Sequence, residues 1–173
     1  MKPLARKLLE FFFENPTKEF AYREIERNSG VSIGSVSRYI EALQKDGFVK
    51  TKKAANSIFA RANRDNTLFM QMKKSHNLES LHSSGLVQHL MEKLRPDALV
   101  IFGSYSRGED DEESDIDIAS IHGRNSNLNL AEFEKNLKRK ISITKIKSIK
   151  DAPKEFRNTL ANGIVLAGSI EVV

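Results

Sequence analysis

Apolar residues recur at helical intervals from the start of the chain. Leu4, Leu8 and Phe12, with Leu9 and Phe13 beside them, make one stripe that Pro16 stops near Asn15. A short helix is expected over residues 21–28, with Gly30 supplying the positive-φ turn after it. Ser32 stands where a third helix needs its N-cap. On that helix Ile33, Val36, Ile40 and Leu43 step by three, four and three, so Ser35, Ser37, Arg38, Glu41 and Lys45 face elsewhere. Two β-rich runs, GFVKTKK and SIFARAN, follow across an Ala-Ala-Asn junction. The segments RDNTLFMQMKKSH and NLESLHSSGLVQHLMEKLRP read as helices, with Leu86, Leu90 and Leu94 on one face and Pro96 closing the run. DALVIFG is a continuous apolar run between Pro96 and Gly103, the pattern of a buried strand. Beyond it, SDIDIASI alternates as a strand, LAEFEKNLKRKISITKI reads as helix then strand, and FRNTLANGIVLAGSI as helix then short strand.

At 173 residues the chain fits two small domains, and its charge divides accordingly. Residues 1–95 hold 17 Lys and Arg against 10 Asp and Glu, a net +7, whereas residues 96–173 hold 11 against 13, a net −2. A basic front half facing a polyanion and a mildly acidic back half with a separate task are expected. The pattern divides into residues 1–62, a helical connector at 63–95, and residues 96–173. The absence of cysteine excludes disulfides, thiolate nucleophiles and cysteine-ligated zinc, and agrees with a cytoplasmic protein. No apolar run approaches the roughly 20 residues of a membrane helix, and the first residues turn acidic before any small-residue cleavage site, so neither a membrane partner nor a signal peptide is expected. His76, His82 and His89 lie six and seven apart in the connector. They lack neighbouring cysteine or carboxylate at ligand spacing, which favours a packing or surface role over metal binding.

The two helices around Gly30 form a helix-turn-helix, and the β-rich pair after them carries Lys50, Lys52, Lys53, Arg61 and Arg64. Residues 3–62 thus resemble a winged helix-turn-helix domain. The resemblance implies DNA as partner, with the helix at 32–46 in a major groove, Ser35, Ser37 and Arg38 near base edges, and Lys50, Lys52 and Lys53 on phosphates. It also implies a homodimer on a two-fold site, as many such regulators form. A small helical domain with a merely solvated surface, or a protein-docking module, fits the same pattern.

In the back half a strand runs through Gly103-Ser104 into a short helix beginning YSRG, an arrangement that offers backbone N–H groups and a hydroxyl to a phosphate. Glycine at 103 is expected because a side chain there would hold a triphosphate away from the backbone. Residues two apart in a strand point to one side, so Asp115 and Asp117 project together while Ile116 and Ile118 enter the core. Paired carboxylates repel unless a cation lies between them, and oxygen ligands beside a phosphate site favour Mg²⁺. An acidic solvated loop before an ordinary strand accounts for residues 109–113 but not for the apolar frame of the aspartates.

Gly103-Ser104, ten residues, then Asp115-Ile116-Asp117-Ile118 resembles the signature of the DNA polymerase beta superfamily of nucleotidyltransferases, in particular its minimal prokaryotic members. The resemblance covers about residues 97–173. The fold class it implies is α+β: an N-terminal winged helix-turn-helix, the helical connector, and a polymerase-beta-like α/β domain with a mixed sheet. It further implies that Gly103 and Ser104 contact the triphosphate of an NTP, and that Asp115 and Asp117 bind the Mg²⁺ or Mn²⁺ used to transfer a nucleoside monophosphate. Arg107 fits either a phosphate contact or a salt bridge to the acids that follow it. One departure stands out. Active members carry a third carboxylate on the next strand, which here reads KISITKI with Ser142 and Thr144 at the expected positions. A hydroxyl is a poor Mg²⁺ ligand and no base near neutral pH. Glu171, near the C-terminus, is the acid that could substitute for it in space. Three functions follow: a nucleotidyltransferase brought to DNA, a DNA-binding regulator whose degenerate transferase domain senses nucleotide, and an antitoxin-like partner of a HEPN-type helical protein.

Overall fold

The computed structural model describes residues 1–150 and 152–170, and the chain divides into two compact units, Met1–His76 and Asn77–Val173. The first contains α1 (Pro3–Glu14), β1 (Glu19–Ala21), α2 (Tyr22–Ser29), α3 (Ile33–Lys45), β2 (Val49–Ala54) and β3 (Ser57–Ala62). The strands pair antiparallel in the order β1-β3-β2, and the register Ala54↔Ser57 leaves Ala55 and Asn56 to turn the hairpin. Leu8, Phe12, Ile25, Val36, Ile40 and Leu43 are buried together, so the helical stripes meet in one core against the inner face of the sheet.

Local details differ from the sequence expectation in three places. Gly30 does take the left-handed turn, at φ +66, but α2 begins at Tyr22 because Ala21 pairs with Phe59 in the sheet. Ser32 occupies the N-cap of α3 without capping it. Its hydroxyl bonds Ser35 instead, and Glu26 Oε1 accepts the orphan N–H of Ile33 at 2.9 Å. Ile33 leaves the apolar stripe and is 43 % exposed, since the core begins one turn later at Val36.

The division between the units falls within α4 (Thr67–Ser83), so the residues expected as a connector are shared. The second unit continues with α5 (Leu86–Leu94), β4 (Ala98–Phe102), α6 (Gly103–Arg107), β5 (Ile116–Ile121), α7 (Ala131–Leu137), β6 (Ile141–Ile146), α8 (Lys154–Ala161) and β7 (Ile164–Gly168). Its sheet is mixed, in the order β6-β5-β4-β7: β4 runs antiparallel to both β5 and β7, while β5 and β6 are parallel. One face, with Leu99, Ile101, Ile116 and Ile118, packs on Leu86, Leu90 and Leu94. The other, with Val100, Ala119, Ile121 and Ile146, packs on Leu160 and Phe156. Burial on both faces explains the unbroken apolar run of β4. His76 stacks on Phe13 and His89 on Phe133, with ring centroids 5.4 and 5.0 Å apart. No helix among the described residues is long and apolar enough to cross a membrane.

Candidate functional site

The corner between β4 and α6 brings the predicted residues together. Gly103 adopts φ +74 there, a backbone region that side chains disfavour. β5 lies antiparallel beside β4 with Phe102 opposite Asp117, so the Asp117 carboxylate comes up against the glycine. A Cβ on Gly103 would approach Asp117 Oδ2 to 2.6 Å. The glycine is therefore required by the conformation and by the carboxylate, reasons the sequence reading did not contain. Ser104 is half-buried in the first turn of α6, and its hydroxyl makes no hydrogen bond among the described residues. Ser106 donates from Oγ to Gly103 O at 2.8 Å and braces the turn.

Asp115 is exposed immediately before β5, and Asp117 is half-buried within it. Burial first, and the charge of Asp115 second, hold the Asp117 carboxyl above its ordinary pKa. Both causes oppose a second negative charge, and a divalent cation between the two groups would offset them. The pair thus fits Mg²⁺ or Mn²⁺. Among the described residues no three His, Cys, Asp or Glu side chains gather to hold a metal by themselves. A hard cation here would complete its shell with phosphate and water oxygens, as Mg²⁺ commonly does.

The third position is occupied as the sequence suggests. Parallel pairing sets Ser142 beside Asp117 on β6, and side chains at paired positions share a face. Ser142 is exposed, whereas Thr144 is one step further from the carboxylates, opposite Ala119. Glu171 lies outside the described residues. Arg107 bonds Glu109 Oε2 from Nε at 2.7 Å, with both side chains half exposed. Its salt-bridge role is thus visible.

The acidic segment between the corner and the aspartates is more ordered than a solvated loop. Asp110 is 1 % exposed. One of its oxygens accepts from Asn77 Nδ2 at 2.7 Å, and the other faces Arg139 at 3.8 Å. Asn77 also donates to Tyr105 O at 3.0 Å, so a single amide joins α4, α6 and the loop. Asp111 Oδ1 accepts from the Ser114 hydroxyl and the Glu113 N–H, closing a tight turn just before Asp115. Ile116 N–H then bonds Lys140 O at 2.8 Å, and Ile141 N–H bonds Glu134 Oε1 at 3.0 Å, aligning β5 with β6. Sequence reasoning missed Asp110. A run of five consecutive acids conceals it, and its partners lie 33 residues before and 29 residues after.

The N-terminal candidates are distributed over α3 and the hairpin. Arg38 is exposed, with its guanidinium 4.7 Å from the Tyr39 ring centroid and a 3.1 Å bond to the Tyr39 hydroxyl. Ser35 and Ser37 are half-buried, the latter bonded to Glu41 at 3.3 Å. On the outer face of the hairpin Lys50 pairs with Asp65, and Lys52 pairs with Glu19 at 2.7 Å. Lys53 projects from the opposite face and forms no ion pair among the described residues.

Residues 85–170 match the family model described as Polymerase beta, Nucleotidyltransferase. The match encloses the glycine corner, both aspartates and all four strands of the mixed sheet. That segment is a polymerase-beta-type nucleotidyltransferase domain. No curated protein matches the chain.

Proposed function

We propose that the protein binds a nucleoside triphosphate with Mg²⁺ and transfers the nucleoside monophosphate to an acceptor, while its N-terminal unit binds duplex DNA as a winged helix. The observation that carries the first part is the meeting of the Asp115–Asp117 pair with the Gly103 corner. Gly103 lets the chain turn without crowding Asp117, and Ser104 offers a hydroxyl to a phosphate oxygen. A bound divalent ion supplies charge neutralisation at the reacting phosphate. In the transfer an acceptor oxygen bonds the α-phosphorus, the bond from that phosphorus to the β-phosphate bridge breaks, and pyrophosphate leaves. With serine at 142, no third carboxylate among the described residues stands beside the pair, and the acceptor's proton passes to water.

That hydroxyl favours a second reading, in which the domain binds nucleotide, transfers slowly or not at all, and conveys its state to DNA. Helix order, the Gly30 turn and the basic hairpin support the DNA part of both readings. The test is incubation of the full chain with labelled NTPs, Mg²⁺ or Mn²⁺, and RNA, protein or small hydroxyl acceptors. Transfer that Asp117→Ala abolishes establishes the enzyme. Nucleotide binding without transfer, altering DNA affinity, establishes the sensor. Nucleotide binding indifferent to divalent ions overturns both.

A further inference from the structure

At the other end of the transferase sheet lies a cavity of about 350 Å³, lined by Asp97, His122, Ser148, Ile149, Lys150 and Ser169. Asp97 precedes β4 and Gly103 follows it, so the cavity is roughly 20 Å along the strand from the glycine corner. We propose that it is a second ligand site and that it takes a phosphate group.

Its polar lining is rich in donors. Ser148 and Ser169 bring hydroxyls and Lys150 an ammonium. The one carboxylate among the described lining residues, Asp97, is already engaged: its Oδ2 lies 2.6 Å from His122 Nδ1. That contact orients the imidazole and leaves Nε2 as its remaining polar atom. The backbone is arranged to the same end. His122 sits at φ +54, a backbone region uncommon for residues other than glycine, and its N–H bonds Ile146 O at 2.8 Å. This anchors the residue to the end of β6 while its side chain reaches Asp97.

Charge favours an anion as well. Lys145, Lys147 and Arg124 are exposed at this end of the sheet, although the unit as a whole is mildly acidic. The cavity opens at the carboxyl ends of the parallel strands β5 and β6, where ligands of open α/β sheets commonly bind. Its volume falls in the range of small-ligand pockets. Phosphate is the anion whose several acceptor oxygens match two hydroxyls and an ammonium at once. The site shares no residue with the Gly103–Asp117 corner, and its existence does not depend on the transferase reading.

The experiment follows the ring resonances of His122 by NMR in the full chain, without nucleotide or divalent ion, during titration with inorganic phosphate. A saturable shift with a Kd on the order of 1 mM is expected, with Lys150→Ala weakening it about tenfold and Asp117→Asn leaving it unchanged. A parallel titration with ribose 5-phosphate separates the two sources of the group: tighter binding of the monoester assigns the site to a phosphorylated metabolite, and equal or weaker binding to the free anion. A matched shift with potassium chloride, indifference to Lys150→Ala, or loss of the shift in Asp117→Asn overturns the proposal.

Discussion

Gly103 and Asp117 occupy one corner so closely that a methyl group on the first would stand 2.6 Å from a carboxylate oxygen of the second. The glycine also holds φ +74. Gly103→Ala is expected to cost about 1–3 kcal/mol of unfolding free energy, measured by urea titration, and to push Asp117 out of place. Loss of Mg²⁺-dependent nucleotide binding in excess of that shown by Ser104→Ala, measured by calorimetry, checks the displacement.

Burial first, and the charge of Asp115 second, disfavour the charged form of Asp117. Its folded-state pKa lies above 3.8, so the folded protein retains that proton more tightly than the unfolded chain. The associated stability is complete below the unfolded value and declines as pH rises through the folded one. Asp117→Asn removes the charge and should raise Tm at neutral pH by roughly 2–4 °C in the absence of divalent ions, with little change near pH 3. Added Mg²⁺ should stabilise the parent protein and leave the variant where it was. Scanning calorimetry at the two pH values provides the comparison.

Ser142 stands in register with Asp117, so Ser142→Asp places a carboxylate beside the pair without altering the strand. If the chemistry is limited by the absent base, transfer should rise by about 100-fold, the lower range of general base catalysis. The readout is initial rate with labelled NTP. A variant that binds Mn²⁺ more tightly yet still transfers nothing would locate the deficiency elsewhere and support the sensing role.

Asp110 carries the buried junction of Asn77 and Arg139. Asp110→Ala removes one of the two acceptors of the buried Asn77 amide and the carboxylate that faces Arg139, an expected loss of about 3–5 kcal/mol. Asp110→Asn keeps the volume and an acceptor and should lose less. Chemical denaturation ranks the two. The acidic turn at 111–114 should also become accessible to limited proteolysis in the alanine variant alone.

On the DNA side the three lysines should not behave alike. Lys50 and Lys52 are matched to carboxylates, while Lys53 is unpaired among the described residues. Lys53→Ala should reduce the salt slope of DNA binding by about 1, with smaller reductions for Lys50→Ala and Lys52→Ala. Glu19→Gln, which releases Lys52, should tighten binding. Arg38→Ala should weaken it. Fluorescence anisotropy across a salt series reads all five.

Legibility followed the range of the interactions concerned. The glycine corner, the paired aspartates and the strands around them are local patterns with a short period, and each was visible in the sequence. The N-cap of α3 was not, because Glu26 lies seven residues from the amide it accepts, outside the window of any capping motif. Ile33 fits the periodic stripe and still lies outside the core, since periodicity gives a face but not where burial along that face begins. Asp110 was hidden for a different reason. Nothing in a run of acids marks the member that points inward until Asn77 and Arg139 are brought to it by the fold.

Strand pairing aims position 142 through backbone hydrogen bonds, so its direction survives whatever side chain it carries. Exchange of a charged group for a hydroxyl at that station can therefore occur in descent without disturbing the neighbouring architecture, and so can its reversal.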